Sequence, residues 1–468
     1  MKLRFFLPLL LMVPFTWAQN DMHANVNLQF RFANPGARAL AMGGAFIGLA
    51  DDTTAIFANP AGLVQLASTT LVVEASHTRR ANNIPFYGGS IEQIGLQDFR
   101  FDLTDRDFPE SSTSLPFAAY VRTGGRLKWG VFLAEQGDFS RTFQTEGVSI
   151  PPFSGGRFVS VNTFEFFPPG DHFIDLKLRS AGFSVAWSFT ERLSWGMTFS
   201  YNQFRYRGNS MLFIPNLEML FPDINFSPRD LEAIRPLYGM TFAQVDVDGK
   251  DTKPSAFGGI LYTPTPRFTL GLSYKLQPSF DYDFVAEGRD DNFEPEIVLQ
   301  GQAPFNVPDS YGLGISFKPT DVFLLSLEVN RVAYSELSED FVPFFRNDDD
   351  PTRVSQSVAD TTEYHLGMEY FITALKYPLA LRAGYWFEPY HALQNTSLDT
   401  QIIFRFLNQF GDFVQASRQT VFLQRFAEDL NHITFGFGLS VGRKFTLDMA
   451  ADLTNENKIY SLSSIYRF

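Results

Sequence analysis

The sequence predicts an all-β fold: a 14-stranded antiparallel transmembrane β-barrel with an N-terminal periplasmic hatch, or plug, inside the lumen. Three observations predict it. Apolar and polar residues alternate in fourteen runs between Ser68 and the end of the chain. The connections between those runs alternate between short and long, as in outer-membrane barrels. The stretch ahead of them, Asn34–Leu63, is rich in Gly and Ala and does not alternate.

Residues 1–18 read as a secretory signal. Lys2 and Arg4 form a positive start, Phe5–Phe15 an apolar core, and Thr16-Trp17-Ala18 offers small residues for cleavage, so the mature chain is expected to begin near Gln19. The apolar core is about 11 residues, whereas a membrane-spanning helix needs roughly 20. Losing Lys2 and Arg4 takes the formal charge from −13 to −15. That excess of acid speaks against nucleic acid as a partner. The 468 residues include no Cys, which removes disulfide scaffolds, thiol catalysis and zinc-thiolate sites. The chain has 52 Phe and 17 Tyr beside a near-neutral mean hydropathy. A barrel produces that pairing, because lipid-facing and lumen-facing residues alternate and cancel in the average.

Residues 19–67 are expected to form the hatch and 68–468 the barrel. Gly36, Gly43, Gly44, Gly48 and Gly62 permit tight turns and close backbone packing. Asn59 before Pro60 is pushed to extended geometry, with its amide available to local backbone groups. Leu40, Met42, Phe46, Ile56 and Phe57 are too apolar for a disordered tail.

The fourteen runs are roughly 68–78, 114–124, 126–141, 175–190, 192–208, 251–264, 266–282, 308–319, 321–335, 361–374, 378–389, 431–442, 444–455 and 459–468. In the fifth, Leu193, Trp195, Met197, Phe199 and Tyr201 share one face, against Ser194, Gly196, Thr198, Ser200 and Asn202. A face of Gly and Ser suits a crowded interior better than open water. Short turns fall at Gly124-Gly125, Glu191, Thr265, Thr320, Leu375–Tyr377 and Arg443. Long outer loops are expected at 79–113, 142–174, 209–250, 283–307, 336–360 and 390–430, with a shorter one at Asn455–Lys458. The last run places Tyr460, Leu462, Tyr466 and the terminal Phe468 on one face, like a barrel-assembly signal.

Fourteen strands enclose more space than side chains alone can fill. The 19–67 segment is the candidate filler. Strand parity turns Glu328, Glu363, His365, Glu369, Arg382, Asp448 and Asp452 inward. Arg382 or Lys275 could offer a cationic site to an anionic head group, or these charges could pair with one another and with hatch backbone to hold the plug. Arg205 and Arg207 turn outward, toward lipopolysaccharide. The loops at 209–250 and 390–430 carry Phe213, Leu217, Leu220, Phe221, Phe404, Phe406, Phe410 and Phe413. Loops this apolar read either as a capture groove for lipophilic ligands or as loops packing on one another. Ser227-Pro228 is a credible helix start, with Ser as N-cap and Pro at the first position. Asp246–Asp251 is a partial calcium-loop pattern without the distal Glu. No nucleophile is arranged with a base, so neither an enzyme nor a metal or other cofactor is expected.

Gly36-Ala37-Arg38-Ala39, Ala50-Asp51-Asp52 and Asn59-Pro60-Ala61 together resemble the hatch of the long-chain fatty acid outer-membrane transporter family, FadL with the aromatic-hydrocarbon porin TodX. Trp129-Gly130 with Gly137, Asn330–Leu337 (NRVAYSEL) and Leu381–Tyr385 (LRAGY) with Pro389 extend the resemblance over nearly the whole mature chain. It implies a hatch built on Gly43, Gly44, Asp51, Asp52, Asn59, Pro60 and Ala61, capture of hydrophobic molecules in outer loops, and passive lateral release through the wall. Gly137, followed by Asp138, falls at the family's inward kink of the third strand. From the residues alone it reads as a bulge or as a tolerated strand glycine. Lateral release suits lipophilic cargo: at roughly 0.8 kcal/mol per CH₂, a sixteen-carbon tail loses about 12 kcal/mol on entering water. The expected partners are a lipid or hydrocarbon ligand, outer-membrane lipid with lipopolysaccharide, and the barrel-assembly machinery, around a monomer. The rival reading is a surface-assembly or secretion-shuttle barrel whose loops bind protein cargo.

Overall fold

The computed structural model describes residues 34–93, 99–150, 165–220, 227–290, 294–338, 356–391, 393–395 and 429–468. Fourteen of its strands close into a ring. They are β1 (Thr70–Arg80), β2 (Glu110–Arg122), β3 (Leu127–Thr145), β4 (Gly170–Ser188) and β5 (Leu193–Phe213). Then follow β6 (Thr241–Thr265), β7 (Phe268–Leu276), β8 (Ser310–Thr320), β9 (Phe323–Val332) and β10 (Thr361–Ile372). The circuit ends with β11 (Leu379–Glu388), β12 (Leu430–Val441), β13 (Phe445–Leu453) and β14 (Asn457–Arg467). Each pairs antiparallel with its sequence neighbours, and β14 returns to β1 from Thr70↔Arg467 to Arg80↔Asn457. This is the predicted 14-stranded barrel. Among the described residues no helix is long and apolar enough to cross a membrane.

The alternation sets the two faces. On β5, Phe199 and Tyr201 are 51% and 62% exposed, while Ser194, Gly196, Thr198, Ser200 and Asn202 on the other face are buried. Aromatic side chains therefore point to lipid and small polar ones to the lumen. The connections at 123–126, 189–192, 266–267, 321–322, 373–378 and 442–444 are all short and lie at one end.

The other end is taller than expected. β3 to β6 run for 19, 19, 21 and 25 residues, against 9 to 12 for β7 to β14. The run drawn at 192–208 continues to Phe213, and that at 251–264 begins at Thr241. Above the lipid band the outward face carries Arg205, Arg207, Asp248 and Lys250, so the apolar signal stops although the ladder goes on. Asp246–Asp251 accordingly lies inside β6 and forms no calcium loop. No metal-holding group of acids and histidines occurs among the described residues.

The run expected at 266–282 breaks at Gln277-Pro278, because Pro278 has no N–H to donate. Ser279–Arg289 pairs with the upper part of β6 and forms a hairpin with Pro295–Asn306, where a loop at 283–307 was expected. Within 79–113 a second hairpin joins Asn83–Gln93 to Phe99–Asp107. Helices at Leu217–Leu220 and Pro228–Ile234 sit in the 209–250 connection, the second at the predicted Ser227-Pro228 start. The two hairpins fold apolar residues onto the inward face of the tall wall. Phe204 stacks on Phe280 at 4.7 Å and on Phe305 at 5.0 Å, and Tyr206 meets Tyr282 edge-on at 5.2 Å. With Phe139, Phe143, Ile174 and Leu176, they form an aromatic core in the outer half of the barrel.

Candidate functional site

The segment Asn34–Leu66 lies within the ring of strands. It is a chain of short turns: α1 (Ala37–Ala41), α2 (Ala55–Ala58) and a 3₁₀ turn at Pro60–Gln65. Gly43 and Gly44, with φ of 63° and 76°, reverse the backbone after α1 in the left-handed region that glycine tolerates. Asp52 opens α2, accepting from the Thr54 N–H at 2.8 Å. Burial raises the Asp52 carboxyl above the usual carboxylate value, with Arg38 pulling the other way. Asn59 is fully buried and ties three pieces together. Its Oδ1 accepts from the Ala61 N–H, while Nδ2 donates to the carbonyls of Ile47 at 3.1 Å and Ile260 on β6 at 3.0 Å. Pro60 follows at the first helical position, where a missing N–H costs nothing.

The inner wall explains why its face is written in glycine. A Cβ at Gly384 would lie 2.5 Å from the Met42 carbonyl carbon, and one at Gly48 2.5 Å from that of Gly314. Backbone meets backbone here, and similar approaches occur at Gly196, Gly271 and Gly367, while at Gly259 the Asn59 side chain takes the space a Cβ would fill. β13, β14, β1 and β2 contain no Gly, and there polar side chains take over. Glu74 accepts from the Gly36 N–H at 2.8 Å and Ser463 from the Ala37 N–H at 2.9 Å.

Of the lumen charges singled out from sequence, Glu328 and Glu369 grip this segment, and Arg382 and Asp448 brace Glu369. Glu328 accepts from the N–H groups of Phe46 and Ile47 at 2.7 and 2.6 Å. Arg38 pairs with Asp51, with Asp52 at 3.4 Å, and with Glu369 at 2.8 Å. Glu369 pairs in turn with Arg382, which reaches Asp448 at 2.6 Å. Arg382 is therefore committed to acids and offers no head-group site. Lys275 stands apart, 3.3 Å from the Asn34 Oδ1 and lining two cavities. Ala61 accepts from Ser194 at 3.2 Å, and Gly44 packs against His365, whose Nδ1 lies 2.7 Å from the Gly43 carbonyl. Sequence reasoning missed Glu74 and Lys128, whose Nζ donates to the Val64 carbonyl at 2.6 Å. The available signal was a charge on the polar parity of an otherwise small-residue face.

The wall pairing is interrupted between β2 and β3. β2 and β3 pair from Arg122↔Trp129 only as far as Phe117↔Ala134. Beyond that point β2 continues along β1 to Glu110, and β3 continues along β4 to Thr145. Two stretches of backbone, 110–116 and 135–145, thus part company in mid-wall. The fork is built locally: Gln136 is an extra residue between Glu135↔Arg179 and Gly137↔Leu178, and Pro116 opposite has no N–H. A Cβ at Gly137 would meet Leu178 Cβ at an ordinary 3.5 Å, so the bulge does not itself require glycine. Side chains bridge the gap. Glu110 accepts from the Thr142 N–H at 3.0 Å, and Arg80 donates to the Asp138 carbonyl at 2.7 Å.

A cavity of about 180 Å³ runs from the interior segment to this fork, between Leu40 and Phe57 on one side and Pro116, Gln136, Gly137 and Phe139 on the other. Cavities of about 150 Å³ hold a benzene ring. A second, of about 50 Å³, is bordered by Leu40, Ile47 and Trp386 as well as by Lys275, Glu328, Glu363 and His365. Of the expected capture residues, Phe213 is half-buried, Leu217 is buried, and Leu220 ends a short helix. Phe221, Phe404, Phe406, Phe410 and Phe413 lie outside the described residues.

Several solved structures share this architecture. The CymD monoaromatic hydrocarbon channel aligns over 94% of this chain and 99% of its own, with TM-score 0.56 and 15% identity. The Ralstonia pickettii toluene transporter TbuX aligns over 94% and 100%, with TM-score 0.54 and 14% identity. A Pseudomonas aeruginosa FadL homologue aligns over 92% and 98%, with TM-score 0.58 and 14% identity. At such identities the likeness is one of fold. No functionally curated protein matches in a sequence search. The family profile described as "Outer membrane protein transport protein (OMPP1/FadL/TodX)" matches residues 29–402. A closed 14-stranded barrel and a profile match over most of the chain lead to one conclusion: this protein belongs to the FadL/TodX family of outer-membrane transport proteins.

Proposed function

We propose that the chain carries lipophilic small molecules, such as aromatic hydrocarbons or fatty acids, passively across the outer membrane. In this reading, residues 19–67 are a hatch that stays seated and seals the axial route, after removal of residues 1–18 as a signal. The outer loops capture the ligand, the cavity beside Leu40 and Phe57 receives it, and the fork at Gln136-Gly137 releases it sideways. One observation carries the reading: the cavity adjoins the fork where β2 and β3 cease to pair, whereas across the glycine-lined sector backbone packs on backbone. A solute leaving there enters hydrocarbon instead of water. The partners are then the ligand, surrounding lipid and, during biogenesis, the assembly machinery, with the protein a monomer and no enzyme.

A cavity joined to the wall also favours transport over a cargo-binding barrel. The test pairs mass spectrometry of lipophiles extracted from the purified protein with uptake by cells lacking it. A bound lipophile and an uptake defect restored by the gene support the proposal. Neither a bound lipophile nor a defect would overturn it.

A further inference from the structure

The tall wall carries an unexplained group of cations on its outer face. On β5 the exposed apolar residues run from Leu193 to Tyr201. Those eight steps cover ~27 Å along the strand, or ~21 Å along the membrane normal at a barrel tilt of about 40°, close to the ~25 Å lipid band. Tyr201 therefore marks the upper edge of the hydrocarbon. Arg205 lies four steps further, ~10 Å above that edge by the same arithmetic.

At that level three cations stand side by side on adjacent strands. Lys177 of β4 is the register partner of Arg205, and Arg205 is the register partner of Lys250 on β6. Like charges directly opposed in a ladder destabilise it, so three in a row call for an external counter-charge. Several of the nearby acids are engaged, while Asp248 and its register partner Asp283, on the strand Ser279–Arg289, are exposed beside Lys250. Glu135 holds Arg179 at 3.2 Å, and Asp175 holds Arg207 at 2.6 Å and Lys177 at 3.8 Å, with Asp138 4.0 Å from Lys177. Asp248, exposed, is the register partner of Arg207. Arg205 and Lys250 are both exposed and make no ion pair among the described residues. Below them, Gln203 and Thr252 add hydrogen-bonding groups as outward register partners.

We infer that Arg205 and Lys250, flanked by Lys177, form a binding site for a phosphate group of lipopolysaccharide in the outer leaflet. Arginine and lysine at this height meet lipid A phosphates, which a guanidinium can bind bidentately. The inference rests on the outer-membrane placement and not on the route of transport.

The experiment titrates bis-phosphorylated lipid A, in detergent micelles, into the purified full-length protein and reads bound lipid by native mass spectrometry. Dephosphorylated lipid A and phosphatidylglycerol are run in parallel. The wild type is expected to bind the bis-phosphorylated form at least tenfold more tightly than either comparison lipid. The R205Q/K250Q variant should lose that preference, R205K/K250R should retain it within about threefold, and R267Q at a short turn should leave it unchanged. Equal binding of all three lipids, or an undiminished preference in R205Q/K250Q shown to be folded by heat-modifiable migration, would overturn the assignment.

Discussion

Replacing Arg38 by methionine removes the cation that joins the interior segment to the wall while keeping an unbranched, apolar stem. Arg38 is the only cation the described structure places against Asp51 and Asp52, and it shares Glu369 with Arg382. Breaking a buried pair by removing one partner costs roughly 3–5 kcal/mol. The lower end applies, because the Asp51 side chain is 22% exposed and water relieves part of the loss. About 3 kcal/mol is roughly a hundredfold in the ratio of unseated to seated segment. The ring itself pairs without the segment, so R38M should still assemble as a heat-modifiable barrel. It should admit polar solutes, read as raised conductance in planar bilayers and sensitivity to a large polar antibiotic. Adding D51N and D52N removes the orphaned charges and should restore much of the seal. A folded R38M that is as tight as wild type would refute the claim that this ion network seats the segment.

Other substitutions probe the same contacts from different sides. G384V drives a side chain into the Met42–Gly43 backbone and should abolish assembly, whereas G258V, with nothing within 4 Å, should be tolerated; heat-modifiable migration of the two variants decides. G137V adds a Cβ at ordinary contact distance, so it should fold while narrowing the fork, and uptake of a hydrophobic reporter should fall several-fold. Unchanged uptake in folded G137V would count against release there. N59A leaves the Ala61, Ile47 and Ile260 backbone groups without their partner. It should lower the unfolding midpoint by an amount equivalent to about 1–3 kcal/mol, measured in denaturant.

Much of the fold was legible because lipid imposes a strict period of two. Leu193 to Asn202 reads as a strand without any tertiary information. The rule fails where lipid ends. Above Tyr201 the outward face turns to Arg205 and Arg207, and beyond them residues 209–213 of β5, like 241–250 of β6, read as loop. Pro278 is a local signal that was available, since a proline has no N–H to give a ladder on both sides. At the site, parity put Glu328, Glu369 and Arg382 on the inward face, yet parity cannot say what each one meets. That depends on where Arg38 and Phe46 come to rest, more than 280 residues away in sequence. Arg382 and Lys275 looked equivalent as cations, and only the positions of Glu369 and Asp448 separate them. Gln136, the extra residue of the bulge, was invisible because a bulge is a property of two paired strands and not of one.

Release through the wall is tested most directly by closing the fork. The chain has no Cys of its own, so a pair introduced at Ser114 on β2 and Gln136 on β3 can be bridged by bis-thiol-reactive linkers of graded length without side reactions. With the linkage verified by mass spectrometry, the account predicts that uptake of a hydrophobic reporter falls at least tenfold and returns when the linker is cleaved. Uptake unchanged in the fully cross-linked barrel would contradict it.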